Sequence, residues 1–396
     1  MTQNTKKTRQ WVLAVALIFL VPVAGCGSGE TETATTPTTT STSTQSTSST
    51  TTTTASTSTT STTTPTSTTT TTSTPTTTTT EGTADITLAA QRFLEALDVD
   101  QRDLATFDLH DLTTRQEWSN LPTTFFPRTG LMTGEMTKEQ WLLMIDLLKV
   151  SQSVQGYRKV EEIMLVEELL FQVRGDVNAG WDRYYISFFG LPSLEEPWAW
   201  QFDGHHLVLN FTVSPEELGF SPSLWGISPN TIPKWGSDLD GQTILMEERT
   251  TPRAFLDALT PDQRMVAMVT MEEMSTLLYG PGLDDTVTAP VGINAKDLDD
   301  DQRAMLLEVV GVYINNAPAP FSEWRMFEIE DEIDDLYFAW KGPSAMNQAG
   351  YYLVQGPSVI IEMDESVFGD HIHAVYRDPT NDYGADILGA HKAAFH

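Results

Sequence analysis

Two pairs of closely spaced histidines stand out in a chain that has seven histidines in all. His371 and His373 are one residue apart in HIHAVYRDPTNDYG, and His205 and His206 are adjacent in FDGHHL. Side chains alternate along a strand, so a strand here projects His371 and His373 from one face. Two imidazoles and one carboxylate beside open coordination positions form many catalytic zinc and non-haem iron sites. This spacing makes a divalent metal, zinc or iron, the candidate cofactor.

Two segments offer a third metal ligand. A strand over 358–364 that pairs with the HxH segment brings Glu362 within reach of both rings, and His206 is the alternative. Arg377 continues the face of the two histidines, and its fork of donors suits an anionic substrate. An HxH pair alone is a weak motif. A pair of hydrogen-bonded structural histidines, or of histidines that contact a ligand, is the competing interpretation.

The Asp203-Gly204 dipeptide predicts where the second pair points. It lies between two alternating segments, which is the strongest short-range signal for a two-residue hairpin turn. That turn places Phe202 opposite His205, so His205 lies on the tryptophan-rich side and His206 on the more polar side. His205 is then a ligand contact or a hydrogen-bonded histidine of the core. Asp203 is a further candidate for orienting a ligand.

Asp382 and His391 complete the set of candidate residues near the C-terminus. The simpler interpretation of RDPTND is a turn, with Asn381-Asp382 capping a last helix that ends near His391. A grip on a carboxylate or another anion by Arg377 is the alternative. The sequence contains no nucleophile elbow, P-loop, dinucleotide fingerprint or HExxH, so it gives no support to the enzyme classes that those motifs mark.

Four similar phrases begin predicted helices: LDVDQR, MTKEQW, LTPDQR and LDDDQR. Each places Asp or Thr at an N-cap with Gln three residues later, as in a capping box. Their irregular spacing argues against a solenoid, and a repeated ligand-binding loop is the functional alternative. The predicted helices cover 87–96, 98–108, 137–150, 159–171, 260–279 and 299–315.

Short runs rich in aromatic and β-branched residues predict the strands. The last four follow one another closely with Gly-Pro punctuation between them, which favours an antiparallel meander. The prediction is an α+β fold, a meander-rich antiparallel sheet with helices packed against it in one large domain. The strongly aromatic strands fill a core or line a sugar-stacking groove. The predicted strands cover 184–189, 198–213, 336–340, 351–354, 358–364 and 371–377.

The N-terminal segment predicts a lipoprotein. Basic residues precede the apolar run 11–23, which ends in Val-Ala-Gly before Cys26, so residues 1–25 are interpreted as a signal peptide and Cys26 as the lipidated residue. An uncleaved anchor helix is the alternative. Residues 26–84 are interpreted as a disordered stalk because they are mostly Thr and Ser, and residues 85–396 as the globular domain. The expected location is the extracytoplasmic face of the cell envelope, with the membrane as a partner through the lipid.

Composition excludes other classes of function. The formal net charge is −31, and such an acidic surface repels nucleic acid, so no nucleic-acid partner is expected. Cys26 is the only cysteine, so a lipidated chain keeps no thiol for disulfides or metal binding. The stability of the domain must come from its core.

Several motifs in one order resemble the family known as domain of unknown function 3500. They are WAWQFDGHHLVLN at 198–210, LYFAWKGP at 336–343, YYLVQGPSVIIEMD at 351–364 and HIHAVYRDPTNDYGADILGAH at 371–391. Arg115, Trp118 and Asn120 resemble the family's early RxxWxN segment, whereas Leu353 stands where the family usually has a basic residue. The resemblance implies no established activity or cofactor. It implies a shared site, because these stretches hold five of the seven histidines.

Two hypotheses on function follow from the sequence. The first is a membrane-tethered extracytoplasmic lipoprotein that acts as a metal-dependent hydrolase through its histidines. The second is a non-catalytic lipoprotein that binds a small polar or saccharide ligand with the same face. A purely structural envelope protein is a third possibility, which the concentration of polar rings in a few motifs makes less attractive.

Overall fold

The structure is a computed structural model that describes residues 79–269, 277–283, 288–346, 348–366 and 370–395. The predicted signal peptide, Cys26 and most of the predicted stalk lie outside these ranges; the first helix begins at Thr79, inside the segment assigned to the stalk. Among the described residues no helix is both long enough and apolar enough to span a bilayer. The helices are α1 Thr79–Glu95, α2 Val99–Ala105, α3 Leu112–Gln116, α4 Lys138–Val150, α5 Val154–Leu169, α6 Met246–Ala258, α7 Pro261–Ala267, α8 Asp300–Ile314, α9 Phe321–Asp331 and α10 Ala385–Phe395.

Twelve strands in the described part of the chain form one sheet. Its order is β1-β3-β4-β5-β7-β12-β11-β10-β9-β8, with β2 also paired to β3 and β6 to β5. All neighbours are antiparallel except β1 and β3, and the last four strands form the predicted meander. The predicted α+β class is therefore confirmed. The strands are β1 Thr106–Phe107, β2 Leu131–Met132, β3 Tyr185–Phe189, β4 Trp198–Gly204, β5 Leu207–Val213, β6 Leu218–Gly219, β7 Ser223–Ile227, β8 Ile293–Asn294, β9 Tyr337–Lys341, β10 Gly350–Gln355, β11 Ile360–Ser366 and β12 His371–Arg377.

The four predicted helix starts all carry complete capping boxes. Asp98, Thr137, Thr260 and Asp299 each accept a hydrogen bond from the backbone N–H of the glutamine three residues later, and that glutamine side chain accepts one from the backbone N–H of the cap. The cap satisfies amides that have no partner inside the helix. These phrases therefore begin helices α2, α4, α7 and α8.

Two predicted helices are shorter than expected because the chain joins the sheet. The predicted helix 98–108 ends at Ala105, and the following residues form β1 beside β3. The predicted helix 260–279 ends at Ala267, because Met268 forms a parallel bridge with Trp340. Residues 270–276 of that prediction lie outside the described ranges. The sequence reading also missed β7, α6 and α9.

The turn between β4 and β5 lies two residues later than predicted. Gly204 pairs with Leu207 and Phe202 pairs with Leu209, so His205 and His206 form the turn and Asp203 lies in the strand. Tertiary packing overrides the local preference of Asp-Gly for a turn. The ring of Tyr184 stacks on Phe202 at a centroid distance of 5.2 Å and fills the space beside Gly204. The predicted placement of His205 on the tryptophan-rich side and His206 on the polar side was therefore wrong.

The two faces of the sheet are covered differently. Helices cover one face, where Trp225 lies against Tyr313 of α8 and Phe338 against Phe255 of α6. On the opposite face Leu224 packs in a cluster with irregular segments. Of the six aromatic residues that a sugar-stacking groove would use, one is half exposed and five are buried in the core: Trp198, Trp200, Trp340, Tyr351 and Tyr352. The exposed one is Trp324.

The chain contains two structurally equivalent halves. Apart from β1, α3 and β6, the elements of the first half follow the order α1-α2-β2-α4-α5-β3-β4-β5-β7, which is repeated as α6-α7-β8-α8-α9-β9-β10-β11-β12 in the second. The sheet order is symmetric about the antiparallel pair β7 and β12. This arrangement relates the halves by an approximate twofold axis between those two strands.

Identical side-chain hydrogen bonds recur in the two halves. Gln101 and Gln140 exchange amide hydrogen bonds between their capping boxes, and Gln263 and Gln302 do the same, each pair being 39 residues apart. The parallel bridge of Met268 to its partner strand corresponds to the parallel pairing of β1 with β3. The predicted helix starts are therefore two copies of a pair, which explains their uneven spacing.

Candidate metal centre

Three histidines from distant segments converge where the β4–β5 turn meets the start of β12. The Nε2 atom of His206 lies 3.0 Å from Nε2 of His371. One ring nitrogen from each of His206, His371 and His373 lies within 4.8 Å of the others. Tetrahedral zinc with bonds of about 2.0–2.1 Å places two nitrogens about 3.4 Å apart, so small side-chain movements would let the three rings hold one ion.

The backbone of the turn explains why His206 reaches this position. His206 has φ 65°, a left-handed conformation that non-glycine residues seldom adopt, and its carbonyl oxygen accepts a hydrogen bond of 2.6 Å from the N–H of Gly226 on β7. Gly226 also makes room for the rings. A Cβ atom at this position would lie 2.9 Å from Cδ2 of His373 and 3.1 Å from Cδ2 of His206.

Glu167 fixes the orientation of both histidines of the turn. Its Oε1 atom accepts a hydrogen bond of 2.9 Å from Nδ1 of His206, and its Oε2 atom accepts one of 2.9 Å from Nδ1 of His205. The two rings stack with centroids 3.7 Å apart. A proton on Nδ1 leaves the Nε2 lone pair of His206 free for a metal, which is the usual role of a carboxylate behind a histidine ligand.

Sequence reasoning missed Glu167 because nothing in its helix distinguishes it from its neighbours. It lies near the end of α5 in the segment VEELLF, where several acidic residues occur. Its side chain is 1% exposed. Only the tertiary contact with the β4–β5 turn identifies it. Glu167, His205 and His206 form a second group that could hold an ion.

Asn120 contacts the third histidine. Its Nδ2 atom lies 3.1 Å from Nε2 of His373, so the amide donates to the ring nitrogen. A metal ion bound at that nitrogen would take the place of this hydrogen bond. Asn120 belongs to the RxxWxN segment, which gave the one sequence signal for its importance.

Arg128 holds the Asn120 loop against the β4–β5 hairpin. Its Nε atom donates to Oδ1 of Asp203 at 2.7 Å, and its guanidinium also donates to the carbonyl oxygens of Ser119 and Leu121. Both side chains of the ion pair are buried. Burial raises the pKa of Asp203 to about 7, although Arg128 opposes the rise. Asp203 therefore positions the loop that carries Asn120.

Burial keeps the histidines of the site uncharged. It lowers the pKa of His206 and of His373 well below the usual value, and neighbouring imidazoles lower both further. The pKa of His371 is lowered by burial and by His205. Neutral imidazole is the form that binds a metal. The cluster is therefore ready to accept a cation near neutral pH.

Glu362 lies on the predicted strand, but its carboxylate is bonded elsewhere. It accepts hydrogen bonds of 2.6 Å and 2.8 Å from the backbone N–H groups of Leu278 and Tyr279, and one of 2.8 Å from the hydroxyl of Tyr351. Of the two alternatives for the third ligand, the structure brings His206 rather than Glu362 to the HxH pair.

The remaining predicted residues lie outside the histidine cluster. Arg377 donates to Oδ2 of Asp382 at 2.7 Å, and both line a separate cavity of about 560 Å³. His391 lies on α10, with Nε2 2.8 Å from Oε2 of Glu196. The predicted last helix forms but begins at 385 and continues beyond His391.

Comparison with known proteins identifies one family. Residues 79–385 match the family described as "Protein of unknown function (DUF3500)". No curated protein and no solved structure matched the chain. The matched region contains the hairpin turn, Glu167 and the HxH pair, and it covers most of the folded part. The chain therefore belongs to the DUF3500 family.

Proposed function

We propose that this chain is a lipid-anchored extracytoplasmic lipoprotein whose folded part is a metal-dependent hydrolase. The metal ligands are His206, His371 and His373. The observation that carries the proposal is the 3.0 Å approach of Nε2 of His206 to Nε2 of His371. Because Nδ1–H of His206 donates to Glu167, the Nε2 lone pair of His206 faces the second ring. Either a hydrogen bond from Nε2–H of His371 or a cation between the rings stabilises that contact.

The ligand set favours zinc over iron. Among the described residues this group consists of three histidines without a carboxylate. Three histidines hold catalytic zinc, whereas non-haem iron commonly uses two histidines and a carboxylate. Glu362, the expected carboxylate, accepts three hydrogen bonds elsewhere. Zinc in such a site lowers the pKa of a bound water to about 7.

Two further residues of the cluster support hydrolysis. Glu167 makes His206 a more basic ligand by accepting a hydrogen bond from its Nδ1–H group. His205 shares the same carboxylate through Nδ1, and its side chain is 17% exposed. Because Nδ1 of His205 is hydrogen-bonded to Glu167, its Nε2 atom is the ring nitrogen that could accept a proton next to the histidine cluster. This gives the site a group that can exchange protons with solvent.

The tether would present this domain outside the membrane. A lipidated Cys26 followed by a coil of some fifty residues, most of them Ser and Thr, would place the domain on the order of 40 Å from the bilayer, by random-coil scaling. The acidic surface disfavours nucleic acid as a partner, and small molecules are the substrates that suit a site of this kind.

Metal content tests the proposal directly. Protein purified without a histidine tag is measured by mass spectrometry for zinc and iron, next to His206→Asn, His373→Gln and the control His391→Gln. We expect one zinc per wild-type and control chain and a loss of most metal in the two cluster variants. Wild type without stoichiometric metal after reconstitution contradicts the proposed site.

Hydrolysis is tested on the same proteins. A panel of chromogenic carboxylic and phosphoric esters is assayed before and after removal of the metal by a chelator. We expect turnover that depends on added zinc and is lost in His373→Gln but kept in His391→Gln. Metal binding without turnover of any ester class contradicts the hydrolase and supports the non-catalytic binding protein instead.

A further inference from the structure

The twofold relation between the halves places a second cavity opposite the histidine cluster. Gly204 and Leu207 flank the turn of the hairpin that joins β4 and β5. Gly356 and Val359 flank the turn of the hairpin that joins β10 and β11, and the N–H of Gly356 donates to the carbonyl oxygen of Val359 at 2.7 Å. Both turns contain two residues. Ser358 therefore occupies the place of His206.

The carboxylate behind the turn is also repeated. Oγ of Ser358 donates to Oε2 of Glu332 at 2.6 Å, and Glu332 directly follows α9. In the first half Glu167, near the end of the equivalent helix α5, accepts the hydrogen bond from His206. With the two hairpin turns aligned, the pairing of Val208 with Leu224 corresponds to that of Ile360 with Arg377, and this register makes Phe220 the counterpart of His373. The second half thus has Ser358 and Phe220 where the first site has the histidines His206 and His373, but it keeps a carboxylate behind the turn.

A cavity of about 180 Å³ lies at this position and is lined by Phe220, Ser358 and Glu332. At about 30 Å³ for each water molecule of the liquid, its volume corresponds to about six waters. That is enough space for a small organic ligand. The cavity is therefore a separate site with its own lining, related to the histidine cluster by the symmetry of the fold.

One wall of this cavity is aromatic. Phe220 and Phe321 are buried, and Trp324 is 46% exposed at the cavity. Aromatic faces carry negative electrostatic potential and attract cations, most strongly for tryptophan. Trp324 is the exposed member of the wall, so it can contact a ligand as it enters.

The opposite wall is acidic even after its one arginine is counted. Arg325 donates to Glu328 at 3.0 Å and lies 3.1 Å from Asp378. These two carboxylates together outweigh the single positive charge of Arg325. Glu332 and Asp386 also line the cavity. The lining therefore keeps net negative charge. Aromatic rings and carboxylates around one space are complementary to a cation with an apolar surface.

We propose that this cavity binds a small organic cation, an alkylamine or a quaternary ammonium compound, between Trp324 and the carboxylate of Glu332. Trp324 supplies the ring face, and Glu332 supplies the charge beside the hairpin turn. A neutral molecule of the same shape lacks the electrostatic part of this attraction. Binding is independent of the histidine cluster because none of the described residues that line the cavity is a histidine.

Calorimetric titration with choline, ethylammonium and putrescine tests the proposal, with 3,3-dimethylbutanol as the neutral match for choline. We expect at least one cation to bind at least tenfold more tightly than the neutral alcohol. Trp324→Leu and Glu332→Gln each weaken this binding at least tenfold, whereas Phe125→Leu, a change at an exposed aromatic residue that does not line the cavity, leaves it unchanged. Thermal unfolding of each variant verifies that it is folded.

Two results of the titrations with organic compounds would overturn the assignment. One is a cation affinity no higher than that of the neutral alcohol, including the absence of binding for all three cations. The other is binding that survives in both cavity variants. A titration of His373→Gln separates this site from the metal centre, because loss of the metal leaves cation binding in place. Calcium chloride is titrated as well, and calcium binding that displaces the organic cation would assign the cavity to a metal ion instead.

Discussion

Nε2 of His206 lies 3.0 Å from Nε2 of His371, although 165 positions separate the two residues in the chain. The sheet order explains this distance, because β5 and β12 both flank the short strand β7. The turn that begins β5 and the first residues of β12 consequently lie at the same end of the sheet. The candidate metal centre is thus built across the boundary between the two halves.

Replacement of Glu167 by Gln should weaken metal binding. The amide accepts a hydrogen bond at one atom only, so it cannot hold both Nδ1–H groups of the turn, and His206 loses its fixed tautomer. Loss of a partner behind a ligand typically costs 10-fold to 100-fold in metal affinity. Competition with a chromogenic chelator measures the zinc Kd. Glu196→Gln is the matched control, because Glu196 pairs with His391 outside the cluster. Equal zinc affinities of the Glu167→Gln and Glu196→Gln variants would contradict the role of Glu167.

Replacement of Gly226 by Ala should separate the rings. The added Cβ would approach Cδ2 of His373 and the carbonyl oxygen of Ile372, each at 2.9 Å. Overpacking of this kind costs about 1–3 kcal/mol in the free energy of unfolding. Urea unfolding measures that loss, and metal content shows whether the site survives. In Gly389→Ala, where no described atom beyond the neighbouring residues and backbone of its own helix lies within 4 Å of the new methyl group, stability and metal content should both be retained.

Acid should destabilise the metal-free protein through His206. Burial lowers its pKa in the folded chain, so below pH 6.5 the unfolded chain binds more protons than the folded one. The free energy of unfolding then falls as the pH drops from about 6.5 toward the folded pKa, by up to about 1.4 kcal/mol per pH unit. His206→Asn, which keeps a residue tolerant of positive φ, should make this slope shallower. Some slope should remain, because burial also lowers the pKa values of His371 and His373. Chelator-treated proteins unfolded in urea at pH 7.5 to 5 provide the measurement, and parallel curves for the two proteins would refute the assignment.

Removal of Arg128 should leave a buried carboxylate without its partner. Arg128→Met breaks the pair with Asp203, and the loss of one member of a buried ion pair costs about 3–5 kcal/mol. Burial raises the pKa of Asp203, and loss of Arg128 removes a group that opposes this rise, so protonation of Asp203 should reduce the cost as the pH falls. Thermal unfolding at pH 8 and pH 5 measures the effect. Adding Asp203→Asn to Arg128→Met should recover part of the stability, and an additive double variant would show that the pair is not coupled.

Local patterns in the sequence were sufficient for the α+β class and for the HxH face. The capping boxes and alternating strands are local features, so they can be recognised without knowledge of the packing. The position of the turn at His205 and His206 could not be predicted from the sequence, because the ring of Tyr184 beside Gly204 overrides the preference of Asp-Gly for a turn. Glu167 is joined to the site only by packing of α5 on the hairpin. The 39-residue spacing of the capping boxes was visible, but its meaning emerged from the paired glutamines.

The paired glutamines allow a test of the equivalence of the two halves. Nε2 of Gln140 donates to the carbonyl oxygen of Ala96 at 2.8 Å, and Nε2 of Gln302 donates to that of Ala258 at 3.0 Å. Both side chains are 5% exposed. Because each glutamine also completes a capping box, Gln140→Ala and Gln302→Ala should each cost about 1–3 kcal/mol through unsatisfied buried groups. Urea unfolding measures the free energy of unfolding of both variants. Because the hydrogen bonds of the two glutamines correspond one to one, the two losses of stability should agree within about 1 kcal/mol. A much larger loss in one variant would show that the halves contribute unequally to stability.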